Sequence, residues 1–243
     1  MTGSQLARTP MALSALVAQL VRVVDLDDQA TWPEGVKGWV SNYPAYAELG
    51  YVDTRGLRAS FAGVPVRAYH CTRLLDDEVA NVRERGLELL TPGLVERRLC
   101  SAENACPDLN GPDLRRSTVY AKNVAKPRDG VVYFFLGRSC FDDDPSEWDW
   151  LLSLWGGESI NMYADVHHPR LRTLGKPTIV VTRIDLGQSQ RIRPELSQLV
   201  VDVARGKKAK AGVRHGVPVS GSDVIDIWQP GHPEYDRHSQ LPR

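Results

Sequence analysis

A mixed α+β fold is what the sequence predicts, and three observations predict it. Val131-Val132-Tyr133-Phe134-Phe135-Leu136 is a continuous apolar run of strand length between Gly130 and Gly137, and Thr178 to Ile184 (TIVVTRI) is a second strand. Trp148, Leu151, Leu152 and Trp155 recur as one face of a helix requires. No internal repeat is visible.

Taken in chain order, Leu13, Leu16, Val17, Leu20, Val21 and Val24 recur at helical spacing and predict a helix with one apolar face. Arg22 interrupts this run and no small-x-small cleavage site follows before Asp25, so it reads as a helix of a cytoplasmic chain and not as a signal sequence. From 25 to 58 turn formers alternate with Trp32, Trp39, Tyr43, Tyr46 and Tyr51, which predicts a partly helical segment whose aromatics pack against the main domain. A hairpin is expected next, with Ala59-Ser60-Phe61 as its first arm, a turn at Ala62-Gly63, and an alternating strand from Val64 to Thr72. Leu74 to Glu78 opens a helix with acids in its first turn, where the macrodipole favours them, and Gly86 is placed to cap its end.

A short extended piece is expected over 87–91, a helix from Leu94 to about Leu99, and a loop from Ser101 to Asp113. Asp142 to Glu147 caps the helix of Trp148, Gly156-Gly157 stops it, and Glu158 to Tyr163 is expected as a strand with an acid at its mouth. A helix over 192–203, a basic loop over 205–215 and a last strand from Asp223 to Trp228 follow. Beyond Pro230 the polar tail is expected to be loosely ordered. The domain reading is a helical and aromatic segment over 1–58, a main domain over 59–230 and a tail over 231–243.

Composition narrows the function. The 243 residues are 42% hydrophobic and 25% charged, which excludes disorder, and 30 basic residues balance 30 acidic ones. No global field therefore draws the chain to a polyanion, and any nucleic-acid contact must be local. Cys71, Cys100, Cys106 and Cys140 lack zinc-site spacing and read as reduced thiols. Asp165, His167 and His168 invite a metal reading, but adjacent histidines on a strand face opposite ways, so no metal is expected. No stretch has the length of a membrane span, and there is no P-loop, G-x-G-x-x-G or G-x-S-x-G motif.

Tyr69-His70-Cys71-Thr72 ends a strand before a helix that closes on Gly86-Leu87; an apolar strand carrying an aromatic follows, and then Trp155-Gly156-Gly157-Glu158. This order resembles the ADP-ribosyltransferase superfamily, in its His-Tyr-Glu branch of diphtheria-toxin and poly(ADP-ribose) polymerase types. The resemblance covers about 59 to 185. It implies split β-sheets around a cleft, NAD as substrate, and transfer of ADP-ribose to a protein or nucleic-acid acceptor. By the same resemblance Glu158 is the catalytic acid; His70 holds the adenosine-side ribose, Thr72 braces it, and Tyr133 or Phe134 stacks on nicotinamide.

Cys71 stands where that branch usually has glycine, so its side chain must point away from any ligand. Gly156, two before Glu158, supplies no second acid of the kind that arginine-modifying members use. Arg73 is the first candidate for the pyrophosphate because it adjoins the motif, ahead of Arg97, Arg98, Arg115, Arg116 and Arg138, and Tyr69 joins the binding set. An inhibitor or antitoxin partner would suit a toxin of this type. Two alternatives are an RNA 2′-phosphotransferase-like enzyme, which the basic loop would serve, and a noncatalytic nucleotide-binding or interaction module.

Overall fold

The computed structural model describes residues 23–48, 53–107, 129–142, 148–153, 155–156 and 172–242. Its helices are α1 (Glu34–Glu48), α2 (Thr54–Phe61), α3 (Asp76–Arg85), α4 (Pro92–Ala105), α5 (Asp149–Ser153), α6 (Leu196–Ala204) and α7 (Pro233–Asp236). The strands are β1 (Pro65–Leu74), β2 (Gly86–Leu87), β3 (Val132–Leu136), β4 (Lys176–Asp185), β5 (Ser189–Arg193), β6 (Ala211–His215), β7 (Val219–Ser220) and β8 (Val224–Trp228). Six strands form one antiparallel sheet in the order β5-β6-β3-β1-β4-β8, and β2 pairs with β7 in a second, two-stranded sheet.

Strand β1 is apolar on both faces because both are covered. Val66 and Ala68 point into one core with Phe134, Leu136, Leu199 and Val203; Tyr69 and Cys71 point into a second core with Phe141, Trp148, Leu152, Trp228 and Tyr235. Its pairing with β4 runs unbroken from Pro65 opposite Asp185 to Leu74 opposite Lys176. Its pairing with β3 is a single position, Tyr69 opposite Phe135.

The expected strand cores of β1, β3, β4 and β8 are present, as are α3 and its glycine stop. Gly86 has φ +91° and closes α3 with its N–H on the Val82 carbonyl. A Cβ there would lie 1.8 Å from the Val219 carbonyl oxygen, so the β2–β7 contact as well as the helix end needs glycine. Trp32 and Trp39 are buried in the first core, as packing predicted. No disulfide joins the four cysteines, all of which are among the described residues.

Several elements depart from expectation. Val24 is not helical: it makes a parallel bridge to Val66. Ala59-Ser60-Phe61 ends helix α2 and is not a hairpin arm, because Asp53 caps the segment through the Gly56 N–H and Leu57 and Phe61 then share its buried face. Helix α4 runs on to Ala105, with Ala102 buried, through residues expected to form a loop. Ile192 belongs to β5, since Pro194 disfavours a helical residue before it and α6 begins only at Leu196. The expected basic loop contains β6. The tail is ordered because Tyr235 and Leu241 anchor it in the second core, with the Tyr235 hydroxyl donating to the Pro242 carbonyl. Among the described residues no helix is long and apolar enough to cross a membrane.

Candidate active site

Past Tyr69 and Phe135, β1 and β3 no longer pair, and each leaves backbone groups without a ladder partner. The His70 ring meets one of them: its Nδ1 lies 2.9 Å from the Tyr133 carbonyl oxygen. A carbonyl can only accept, so Nδ1 carries the proton and Nε2 is left as an acceptor. At this split opens a cavity of about 490 Å³. Its walls are His70 and Thr72 of β1, Tyr133 of β3, Glu78 and Arg85 of α3, Gly86-Leu87, Arg97 and Arg98 of α4, and Gly156.

Burial lowers the His70 pKa to about 4, with the Arg98 charge acting the same way and the hydrogen bond to Tyr133 opposing both. The ring is therefore neutral at pH 7. The unfolded chain takes up the proton near pH 6.5 and the folded chain only near 4, so between these values the unfolded state binds more protons. Stability from this residue is complete above about pH 6.5 and is lost as pH falls towards 4. Urea midpoints measured from pH 7 to 4 should fall more steeply for the natural protein than for His70→Asn, which has no proton to gain.

Thr72 is buried and shares the cavity face of β1 with His70 two residues away. Of the two aromatics considered, Tyr133 is 36% exposed and lines the cavity, while Phe134 is 2% exposed and packs edge-on against His70 and His215. Cys71 contributes to the cavity wall, but its side chain packs in the second core, where burial raises its thiol pKa. The alternation of β1 thus turns this side chain away from the cavity face that His70 and Thr72 share.

The same alternation removes Tyr69 and Arg73 from the expected binding set. Tyr69 is 1% exposed in the second core, edge-on to Phe141 and tilted against Trp228, and burial raises its pKa. Arg73 spends its donors on structure, with Nε to the Leu174 carbonyl at 2.7 Å and a terminal nitrogen to the Leu152 carbonyl at 3.3 Å. Arg138 pairs with Glu234, away from the cavity. Arg97 and Arg98 do reach it, each held by an acid, Glu88 and Glu78 respectively. Arg85 lines the cavity, and its side chain makes no ion pair or hydrogen bond among the described residues. Glu158, Asp165, His167, His168, Arg115 and Arg116 lie outside the described residues.

The sequence reading missed the group that ties the wall together. Glu78 accepts from the Leu75 N–H at 2.8 Å, from the Trp155 indole at 3.0 Å and from Arg98 Nε at 2.7 Å, and the Arg98 guanidinium lies 5.2 Å from the Trp155 ring centroid. Trp155 is fully buried. The acidic first turn of α3 thereby fastens Trp155, three positions before Glu158 in sequence, beside the wall residue Gly156. Lys207, Lys208 and Lys210 of the basic segment line a separate hollow of about 370 Å³ with Pro194, Leu199 and Asp202. Comparison of the chain with family models, curated proteins and solved structures finds no match.

Proposed function

We propose that the protein is an ADP-ribosyltransferase that takes NAD⁺ into the cavity between β1 and β3. The observation that carries this reading is the convergence of His70, Thr72, Tyr133 and Gly156 on one cavity at the point where the sheet splits. A neutral imidazole with Nε2 open as an acceptor suits a ribose hydroxyl, the Thr72 hydroxyl braces it, and Arg85 is a guanidinium suited to phosphate oxygens. Tyr133 offers a ring to nicotinamide.

Breaking the bond between nicotinamide and ribose sends its electron pair out with neutral nicotinamide and leaves positive charge on the sugar, as in glycoside cleavage. Glu158 is the residue that stabilises this cation. It follows the wall residue Gly156 by two positions in the sequence. A nucleophilic atom of the acceptor then bonds to the same sugar carbon and gives up its proton. A carboxylate placed against the developing charge is the electrostatic element that such a reaction needs, and Glu158 is the residue proposed to supply it.

Binding tests the reading without requiring the acceptor. At a hundredfold excess over Kd, NAD⁺ should stabilise the native protein by about 2.7 kcal/mol, a rise of several degrees in Tm. Tyr133→Ala should lose most of that rise. An unchanged Tm for the natural protein at millimolar NAD⁺ would count against the cavity as an NAD⁺ site.

A further inference from the structure

The strand pairing joins residues far apart in sequence into one basic face. Tyr133 of β3 lies opposite Arg214 of β6, and Arg214 lies opposite Arg191 of β5. Gly212 lies opposite Phe135 on one side and Arg193 on the other. Directly opposed residues share a face of a sheet, so Arg191, Arg193 and Arg214 stand together on the face away from the first core, where Val213 and Ile192 point. Neighbouring strands lie about 4.8 Å apart and alternate residues about 6.7 Å, which puts the three guanidinium stems on one small patch.

None of the three arginine side chains has an ion pair or hydrogen bond among the described residues, and Arg214 Nε is buried without a partner. No acid occupies an outward position of β3, β5 or β6. Gly212 is exposed, nothing lies within 4 Å of where its Cβ would be, and it lines the cavity. The patch therefore runs over an open glycine floor into the mouth marked by Tyr133.

We propose that this arginine face binds single-stranded nucleic acid and delivers it to the cavity as the acceptor of ADP-ribose. The inference rests on the ADP-ribosyltransferase reading for the transfer but not for the binding. Three uncompensated guanidiniums beside an exposed aromatic ring match a strand with regular phosphates and flat bases. A lipid surface would call for apolar anchors, and Tyr133 is the one exposed large hydrophobic residue described on this face. Pairing in a duplex would keep a base from the cavity mouth, so the strand must be single at that point. In the transfer, a ring or amino nitrogen or a hydroxyl oxygen of the strand bonds to the ribose carbon as nicotinamide leaves, and its proton passes to solvent.

The test is anisotropy of labelled 12-nucleotide RNA and DNA strands on the full chain, beside a duplex of the same sequence and polyglutamate, at 50 and 200 mM salt. The single strands should bind best, and affinity should fall by roughly tenfold to twentyfold between the two salts, as about three phosphate contacts require. Arg191→Gln/Arg193→Gln should weaken binding at least tenfold and reduce the logarithmic salt slope by about 1.4. With no strand present its nicotinamide release should equal that of the natural protein, since neither residue lines the cavity, and only the rise on adding strand should be lost. The RNA and DNA arms decide which strand is preferred. Undiminished binding by the variant, or equal binding of duplex or polyglutamate, would overturn the proposal and leave the enzyme reading standing. Arginine-dependent strand binding without nicotinamide release or an NAD⁺-induced Tm rise would instead support the surface and remove the enzyme reading.

Discussion

Glu158→Gln should lower nicotinamide release from NAD⁺ by about 10²- to 10³-fold while leaving the circular dichroism spectrum and Tm of the protein unchanged. The amide keeps the shape and hydrogen-bonding reach of the side chain but removes the charge proposed to stabilise the sugar cation. Because the lost interaction exists chiefly in the transition state, kcat should fall far more than the KM for NAD⁺ changes. The natural protein and the variant, assayed side by side for released nicotinamide, give the comparison. A noncatalytic module would show no release in either protein, and a binding role for Glu158 would appear in KM alone.

Glu78→Ala should be among the most destabilising single changes in the chain, by about 3 kcal/mol or more. The carboxylate is 11% exposed and satisfies a backbone N–H, the Trp155 indole and the Arg98 guanidinium, itself 16% exposed. Its removal leaves a nearly buried cation without a counter-charge and a buried indole N–H without an acceptor. Urea denaturation gives the stability change, and Glu78→Gln, which keeps acceptor and donor groups at that position, should lose less. In whatever fraction of Glu78→Gln remains folded, nicotinamide release should still be reduced, because residues 155–156 lose the charged half of their attachment. A loss of under 1 kcal/mol for Glu78→Ala would show that this polar group is not what holds the wall.

Much of the fold was legible where local chemistry decides it. The apolar run of β3, the long apolar strand β4, the acid-led start of α3 and its Gly86 stop depend on neighbours in sequence, and the structure has them within a few residues. His70, Thr72 and Tyr133 were legible as a group for the same reason, through the order of short motifs along the chain. Arg73 misled because adjacency in a strand means opposite faces: one step from Thr72 takes the side chain through the sheet to Leu174 and Leu152. The basic segment looked like a solvated loop without aromatics. Cross-strand pairing brings its Arg214 beside Tyr133, 81 positions earlier, and no local pattern announces that register.

The tie between Glu78 and Trp155 was hidden by distance along the chain, since each residue alone has an ordinary explanation, one as a first-turn acid and the other as a core aromatic. The ordered tail was missed because two buried side chains, Tyr235 and Leu241, are enough to anchor a segment whose composition is otherwise polar. The split between β1 and β3 is the least local feature of all: both strands were read correctly, yet only their register shows that they part after one pair.

The measurement that bears most directly on this account is nicotinamide release from NAD⁺ by the natural protein, followed over time by chromatography with a single-stranded oligonucleotide absent and then present. Release should be linear in enzyme concentration and should rise when the strand is added. No release under either condition, together with an unchanged Tm in NAD⁺, would contradict it.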